Sequence, residues 1–286
     1  MSSDLATAAD QASPTRGLVW VVWGEQFIGE ALAAARSAKA AGSYRCAIIT
    51  DRDFLGSEDF DDVIIDAFER SYFDKIKMRL APYDQTIFLD SDICVLRSLD
   101  PLFDLFKRFD LFAQPATGGV HYQVGDVPIL SFPELSAGVV GFRRNDRTRH
   151  FFNLWEQSYR EIERANGAGA WDQRSLRHAA WASDVRLTFL QHEWQCYTYF
   201  ANVMLTEAKI IHGRGKSAEQ LAIMANRHND YRLVLPGVGY LPLHATRARD
   251  YARFTRALMQ RTLKRGVRRT LHHLRIWPLP VNRRSM

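Results

Sequence analysis

A short apolar run that ends abruptly in two carboxylates is the feature that most constrains the fold. Residues 85–89 are of strand type, and Asp90 and Asp92 follow directly, separated by Ser91. Ligands of an open α/β sheet bind outside the carboxyl ends of its strands, so these carboxylates stand where such a fold places chemistry. Neighbouring carboxylates favour a divalent cation, which can bind a diphosphate. A strand that ends in a solvated acidic turn is the alternative interpretation.

Strand and helix patterns alternate on both sides of this motif. The unbroken apolar run at 18–23 predicts a strand buried on both faces, and alanine-rich residues 25–41, ended by Gly42, predict a helix. Further strands are predicted at 45–50, 62–66, 110–113, 136–142, 185–190 and 209–211, and further helices at 71–80, 102–109, 148–164, 171–181 and 217–227. This order predicts an α/β fold with a largely parallel sheet flanked by helices.

Positive charge is concentrated in the last forty residues. Residues 247–286 carry 12 basic side chains and one acidic side chain, whereas the rest of the chain carries 26 basic and 31 acidic ones. The body therefore lacks the basic surface of a nucleic-acid-binding protein, and we expect no nucleic-acid partner. Arginines interleaved with apolar residues predict a basic amphipathic helix in the tail, over 246–274. We expect it to bind an anionic membrane surface, with packing on the body or attraction of nucleic acid to the tail as the alternatives.

The N-terminus and the cysteines bear on domain organisation and compartment. Residues 1–16 are rich in Ser, Ala and Thr without an apolar segment, which predicts a disordered lead-in rather than a signal peptide. Three scattered cysteines without a CxxC pair favour a reducing compartment and argue against a thiolate zinc site. We expect a cytoplasmic protein, peripheral at the inner face of the membrane if the tail binds lipid. The predicted organisation is a lead-in at 1–16, one domain at 17–245 and a tail at 246–286.

Several short motifs follow one another in order along the chain. They are Lys75, the Asp-Ser-Asp of 90–92, the ELSAGVVGF of 134–142, the WDQ of 171–173 and the HGRGK of 212–216. This set resembles the motifs of nucleotide-sugar glycosyltransferases of the GT-A type, closest in pattern to glycosyltransferase family 8 and its relatives. The last four resemble the family's DxD, Asn-x-Gly-Val, Asp-Gln and His-x-x-Gly-x-x-Lys elements. The resemblance covers residues 17–228 and implies a Rossmann-like GT-A domain with a mixed, mostly parallel central sheet.

The resemblance implies an enzyme that transfers a sugar from a nucleotide-diphosphate sugar to a hydroxyl acceptor with retention of anomeric configuration. The implied metal ligands are Asp90, Asp92 and His212; such a mixed oxygen and nitrogen site suits Mn2+, with Mg2+ as a substitute. Asp172 would bind sugar hydroxyls, and Gln173 would lie near the anomeric carbon, as the implied catalytic residues. The implied donor-binding residues are Trp23, Gly24, Lys75, Arg79, Ser91, Ser136, Gly138, Gly215 and Lys216.

Some of these positions also have structural interpretations. Lys75 and Arg79 lie four residues apart, which places them on one face of the predicted helix, where a solvated basic face is the alternative. Gly138 suits a position where backbone approaches a ligand closely, although a β-bulge also favours glycine. Asp172 would equally suit an ordinary helix N-terminus.

Other positions depart from the family pattern. Ser136 stands where the family has Asn, and Lys216 follows Gly215 directly, without a Pro-Trp after it. The residues do not decide between uridine and guanosine donors, and the resemblance favours UDP. We expect a sugar or lipid-linked hydroxyl acceptor, as in cell-surface polysaccharide or glycolipid synthesis. Candidate aromatic residues for an acceptor platform are His121, Tyr122 and Trp194, the last with core packing as its alternative role.

Other functions remain open at this point. Phosphatases of the haloacid-dehalogenase type also use a strand-end Asp-x-Asp, with the first Asp as nucleophile. Against that class, Ile93 and Cys94 replace the usual small Gly-Thr, and two or three strands precede the motif. A non-catalytic sugar-nucleotide-binding scaffold would tolerate the change at Ser136. An inverting transferase would need a carboxylate base, for which Asp172 and Glu134 are the candidates.

Overall fold

The computed structural model describes residues 13–116, 123–129, 131–167, 171–227, 230–242, 252 and 255–260. The strands are β1 (Arg16–Val21), β2 (Arg45–Thr50), β3 (Asp62–Ile65), β4 (Gln85–Leu89), β5 (Ile93–Val95), β6 (Leu111–Pro115), β7 (Leu135–Arg143), β8 (Leu187–Phe189), β9 (Cys196–Tyr197), β10 (Asn202–Met204), β11 (Ile210–His212), β12 (Arg232–Leu235) and β13 (Gly239–Pro242). The helices are α1 (Gly24–Ala41), α2 (Asp100–Leu105), α3 (Asp146–Asn166), α4 (Asp172–Ala182) and α5 (Gly215–Ala225), with 3-10 helices at Ser57–Asp59, Tyr72–Leu80 and His192–Trp194.

Seven strands form the central sheet, in the order β3-β2-β1-β4-β7-β6-β8. The first four run parallel to one another. Strand β7 is antiparallel to both of its neighbours, and β8 is parallel to β6. The sheet is therefore mixed and mostly parallel with helices against it, and the predicted α/β class is confirmed.

The central sheet is buried on both faces. Alternate residues of β1 point to opposite cores: Leu18 and Trp20 lie on one side, and Val19 lies on the other. Small alanines of α1, such as Ala35, pack on the first face, and large aromatic residues of α3, such as Trp155, pack on the second. This burial on two faces explains the unbroken apolar run in the sequence.

Two three-stranded sheets flank the central one. Their strand orders are β5-β11-β9 and β10-β12-β13. Strand β5 follows the acidic motif and pairs antiparallel with β11, which brings a distant part of the chain to the end of β4. The sequence analysis did not predict β5, because three residues are too few to display a period.

Some predicted bounds and element types differ from the structure. The helix predicted at 71–80 is a 3-10 helix, begun by a capping box in which Ser71 accepts from the Phe73 N–H. Strand β1 begins at Arg16, inside the predicted lead-in, and the Thr15 N–H donates to Asp84 Oδ2 at 3.0 Å. Residues 1–12 lie outside the described residues. In the tail, 252 and 255–260 are helical and the remainder is outside the described residues.

Cys46, Cys94 and Cys196 are free thiols, and burial raises the pKa of Cys46 to about 12. Among the described residues, no helix has the length and apolar character needed to cross a bilayer.

Candidate functional site

The two carboxylates of the acidic motif lie at the carboxyl edge of the central sheet. Strand β4 is buried along its whole length and ends at Leu89, so Asp90 emerges at the edge. The Asp90 N–H donates to the carbonyl of Gly138 at 2.9 Å, and the Gly213 N–H donates to the carbonyl of Asp92 at 2.9 Å. These backbone bonds fix the loop between β4 and β5 against two other segments of the site.

His212 reaches the acidic motif from 120 residues further along the chain. It is the last residue of β11, and the pairing with β5 places it opposite Ile93. Its Nε2 lies 3.1 Å from Asp92 Oδ1 and 3.7 Å from Asp90 Oδ2. One ligand atom from each of the three side chains lies within 4.8 Å of the others. Two carboxylates and one imidazole form a donor set that suits Mn2+ or Mg2+, so the residues fit the implied metal.

Lys75 provides a positive charge beside these carboxylates. Its Nζ lies 2.8 Å from both carboxylate oxygens of Asp90, 3.3 Å from the carbonyl of Ala137 and 4.0 Å from Asp172 Oδ2. Burial disfavours the ammonium ion, but Asp90 and Asp172 outweigh that effect and raise the pKa of Lys75. Lys75 is therefore a fixed cation between two acidic groups.

Asp172 begins α4 with its side chain almost completely buried. Its Oδ2 has no hydrogen-bond partner among the described residues, and Lys75 is 4.0 Å away. Burial raises the pKa of Asp172, since the charge of Lys75 offsets only part of the desolvation. Gln173 is the next residue of α4 and is half-buried. Asp172 thus lies at the start of α4 beside Lys75, with one carboxylate oxygen unpartnered among the described residues, and Gln173 is its neighbour along the helix.

Arg214 and Glu30 join the cluster without having been predicted. The Arg214 guanidinium donates to both carboxylate oxygens of Glu30, at 2.7 and 3.1 Å, and lies 3.2 Å from Asp92 Oδ2. The Ser91 hydroxyl donates to the same Glu30 at 2.9 Å. Burial alone would raise the pKa of Asp92, but the hydrogen bond from His212 and the charge of Arg214 lower it. Arg214 falls within the HGRGK motif, which was the available signal, whereas Glu30 is one acidic residue of an ordinary helix.

Gly138 lies directly against the imidazole. A Cβ at this position would stand 2.2 Å from Gln195 Nε2 and 2.5 Å from His212 Cε1, so the position excludes a side chain. Behind it, the Ser136 hydroxyl lies 2.5 Å from the Tyr197 hydroxyl, and Gln195 Nε2 lies 2.8 Å from His212 Nδ1. Gln195 and Tyr197 were not predicted, because isolated polar residues near a two-residue strand carry no sequence pattern. Glycine at position 138 therefore allows Gln195 and His212 to pack directly against the backbone of β7.

Of the other predicted donor-binding positions, some lie at the same edge of the sheet as the acidic motif and one points away from it. Trp23 and Gly24 follow β1 at the same edge of the sheet as Asp90, and the Gly24 N–H donates to Asp51 Oδ1 at 3.1 Å. Arg79 instead pairs with Glu156 of α3 at 2.9 Å. A 3-10 helix has three residues per turn, so residues four apart do not share a face, and the structure brings only Lys75 to the cluster.

Further predicted residues lie at the margins of the site. Gly215 begins α5 with a φ of 61°, a conformation that favours glycine. The side chain of Lys216 and the residues His121 and Tyr122 lie outside the described residues. Trp194 packs against the core of the central sheet, in agreement with its alternative role.

Solved structures with the same fold are glycosyltransferases. Galactosyltransferase LgtC, solved with donor and acceptor sugar analogues, is 14% identical, with a TM-score of 0.51 over 70% of this chain and 87% of that one. Mouse xyloside xylosyltransferase 1 is 12% identical, with a TM-score of 0.50 over 71% of this chain and 98% of that one. No protein-family model and no curated protein matches the sequence. The chain has the GT-A fold, as predicted.

Proposed function

We propose that this protein is a metal-dependent glycosyltransferase that moves a sugar from a nucleotide-diphosphate donor, a UDP-sugar, to a hydroxyl acceptor. The observation that carries the proposal is the convergence of Asp90, Asp92 and His212, whose ligand atoms lie within 4.8 Å at the carboxyl edge of a GT-A sheet. The likeness in fold to a galactosyltransferase solved with donor and acceptor sugar analogues supports the same reaction class.

Asp90, Asp92 and His212 would hold the cation, Mn2+ or Mg2+. When bound, such an ion neutralises charge on a leaving diphosphate. Lys75 and Arg214 would supply further positive charge on either side of the diphosphate, as each already contacts one of the aspartates, at 2.8 and 3.2 Å. Electrostatic stabilisation of a departing anion requires such preorganised cations.

Asp172 and Gln173 would face the sugar. The unpartnered Oδ2 of Asp172 is suited to accept a hydrogen bond from a sugar hydroxyl, which would satisfy a buried acceptor. In the transfer, the bond from the anomeric carbon to the phosphate oxygen breaks and its electrons leave with the diphosphate. The acceptor oxygen bonds to the same carbon, and its proton passes to the departing phosphate.

Retention of configuration follows from this assignment of roles. An inverting reaction needs a carboxylate base on the acceptor side. Asp172 is 4.0 Å from Lys75, which also holds Asp90, so this carboxylate is directed to the donor side of the cluster. Glu134, the other candidate base, is buried and interacts electrostatically with Arg177. Proton transfer to the leaving phosphate is therefore the route that we propose.

The position of the motif disfavours the phosphatase alternative. Three parallel strands, β1, β2 and β3, precede β4 in the sequence, whereas the nucleophile of that class opens its domain. Absence of phosphate release from a generic aryl phosphate is the expected result for this protein.

The test is nucleotide release from a panel of UDP- and GDP-sugars. We expect UDP release from one donor, its abolition by EDTA, its recovery with Mn2+, and its loss in Asp92→Asn. Release that is insensitive to EDTA, or none from any donor, would contradict the proposal. The anomeric configuration of the product, measured by NMR, tests retention separately.

We also propose that the acceptor is membrane-linked and that the protein acts at the cytoplasmic face of the membrane. The support is the charge of residues 247–286, with 12 basic side chains against one acidic one. Flotation with anionic vesicles should carry the full chain but not a chain ending at residue 245. Equal flotation of both would contradict membrane binding by the tail.

A further inference from the structure

A completely buried glutamine lies behind the imidazole of His212. Gln195 Nε2 is 2.8 Å from His212 Nδ1, 2.9 Å from Ser136 Oγ and 2.7 Å from the Tyr197 hydroxyl. Oε1 of the same amide has no hydrogen-bond partner in the described part of the chain. One end of this amide is therefore crowded with partners and the other end has none.

The amide nitrogen cannot satisfy all three neighbours, because it carries two hydrogens. If it donates to Nδ1, then Nδ1 is an acceptor and the ring hydrogen of neutral His212 sits on Nε2. That hydrogen points to Asp92 Oδ1, 3.1 Å away. This arrangement suits the 3.1 Å contact between His212 Nε2 and Asp92 Oδ1, but it leaves Nε2 without a lone pair for a cation.

Rotating the Gln195 amide by 180° exchanges the positions of its oxygen and nitrogen. This exchange changes the tautomer that His212 can adopt, and with it whether the imidazole Nε2 carries a hydrogen. Oε1 then accepts from Nδ1–H and from the Tyr197 hydroxyl, which fills its two lone pairs. Ser136 donates to the Tyr197 oxygen, 2.5 Å away, and the Gly138 N–H donates to Ser136 Oγ at 3.2 Å. Each of these four donors then has one acceptor, and His212 Nε2 presents a lone pair to Asp90 and Asp92, while the Gln195 NH2 takes the position where Oε1 has no partner.

The unpartnered side of the amide favours the orientation seen here, because the turned amide would leave two N–H donors there instead of one carbonyl oxygen. The turned orientation is therefore expected only when a cation at His212 Nε2 offsets that cost. Ligating histidines generally donate their other ring N–H to an acceptor, which sets the tautomer and the orientation of the ring. Gln195 is the side chain in contact with Nδ1 that can supply this acceptor.

We propose that Gln195 is a positioning residue that sets the tautomer of His212. Its amide nitrogen faces Nδ1 when Nε2–H bonds Asp92, and its amide oxygen faces Nδ1 when Nε2 ligates a cation. The inference rests on the proposed function in one respect, the assignment of His212 as a metal ligand.

Two substitutions at Gln195 separate acceptor chemistry from side-chain volume. Gln195→Met keeps the approximate size but removes the acceptor, and we expect a 10- to 100-fold weaker affinity for Mn2+ in the presence of UDP. Gln195→Glu keeps an acceptor toward Nδ1, and we expect affinity within a few-fold of the unsubstituted chain. Free Mn2+ measured by electron paramagnetic resonance gives both affinities without an activity assay.

Gln85→Met is the matched control. Gln85 is also buried with an unpartnered Oε1, but it lies at the opposite end of β4 from Asp90. We expect this variant to bind Mn2+ like the unsubstituted chain. Unchanged affinity in Gln195→Met, or an equal loss in Gln195→Glu and Gln195→Met, would overturn the proposal.

Histidine nitrogen NMR provides a second measurement on the unsubstituted protein. With Mg2+ and UDP as probes, we expect the His212 signal, assigned by its loss in His212→Gln, to change from Nε2–H to Nδ1–H. Persistence of Nε2–H in the bound state would overturn the inference about Gln195 and would remove His212 from the proposed ligands, leaving metal-dependent transfer to be tested by nucleotide release. Failure of the unsubstituted chain to bind either cation with any nucleotide would instead remove the proposed function, and this inference with it.

Discussion

Two buried carboxylate clusters lie at opposite edges of the central sheet, and their charges are balanced in opposite ways. Asp110 precedes β6 and is fully buried, yet Arg186 donates to both of its oxygens at 2.8 Å. Asn145 donates a third bond at 2.8 Å, and the Arg147 guanidinium is 3.5 Å away. Here one carboxylate is surrounded by donors and cations.

In the cluster at the end of β4, carboxylates outnumber the cationic side chains. Four carboxylates, from Glu30, Asp90, Asp92 and Asp172, share the cations Lys75 and Arg214. The hydrogen bonds of Arg186 hold the pKa of Asp110 well below its usual range, whereas burial raises the pKa of Asp172. A carboxylate with satisfied hydrogen bonds stabilises the fold, whereas the excess of partly buried negative charge at the end of β4 is what the proposed cation would offset.

The largest expected effect is a difference in the rate of sugar transfer between a substitution in one cluster and a substitution in the other. Asp92→Asn removes a metal ligand and should lower sugar transfer about 10²- to 10³-fold, because transition-state charge loses its counterion. Asp110→Asn should leave the rate unchanged in the folded protein. Rate assays at saturating donor, with the folded fraction measured by circular dichroism, compare the two. Equal rates for Asp92→Asn and the unsubstituted chain would contradict the difference.

Gly138→Ala tests the close packing of Gly138 against His212 in the cluster at the end of β4. The new Cβ would stand 2.5 Å from His212 Cε1, so the imidazole must shift. We expect a loss of about 1–3 kcal/mol in the free energy of unfolding and weaker Mn2+-dependent binding of UDP. Gly29→Ala is the control, because its Cβ meets nothing within 4 Å and helix propensity favours alanine. Normal UDP binding by Gly138→Ala would show that His212 is not held by this contact.

Asp110→Asn should destabilise the protein by about 2–3 kcal/mol, because it removes a buried carboxylate from its charged donors. Urea unfolding measures this free energy. The value is at the low end for a buried pair, since the Arg186 side chain is partly exposed and can be hydrated. A decrease in the free energy of unfolding of less than about 0.5 kcal/mol would mean that the pair of Asp110 and Arg186 contributes no more than an ordinary surface ion pair.

The same carboxylate predicts a pH dependence of stability. The folded-state pKa of Asp110 lies below the unfolded value of about 4, so its stabilising contribution is complete above that pH and is lost as the pH falls. The difference in unfolding free energy between the unsubstituted chain and Asp110→Asn should therefore shrink below about pH 4. A difference that stays constant down to pH 2 would contradict the assignment.

Asp172→Asn should have the smallest effect on stability, and with the opposite sign. Because the folded-state pKa of Asp172 is raised, its ionised form destabilises the folded state at neutral pH. We expect a gain of about 1 kcal/mol or less at pH 7, which fades as the pH falls from the raised folded-state pKa toward the usual carboxyl value and is absent below it. Destabilisation at pH 7 would mean that Lys75 outweighs the burial of Asp172.

Local patterns in the sequence were sufficient to predict the class of the central sheet and the position of the acidic motif at the end of a strand. An apolar run followed by Asp90 and Asp92 determines both a buried strand and where its polar end emerges. The order of strands and helices likewise predicted the class of the fold. These signals depend on neighbours within a few residues, so they can be seen in a single chain.

Contacts between distant segments could not be predicted in the same way. The pairing of β5 with β11 places His212 beside Asp92, and its three-residue strands have no visible period. Arg214 and Glu30 are 184 residues apart, and neither side chain indicates the other. The segment Tyr72–Leu80 is a 3-10 helix with Phe73, Ile76 and Met78 in the core. Helix propensity did not distinguish this geometry, which separates Arg79 from Lys75, from an α-helix.

The most direct test of the central claim is a thermal-shift measurement with nucleoside diphosphates in the presence and absence of Mn2+. A ligand that binds only the folded state raises the melting temperature, by about 5–10 °C at a hundred times its dissociation constant. We predict this shift for UDP with Mn2+ in the unsubstituted chain and in Asp110→Asn, and its absence in Asp92→Asn. A shift that is independent of Mn2+, or one that persists in Asp92→Asn, would contradict a metal-dependent diphosphate site at the acidic cluster.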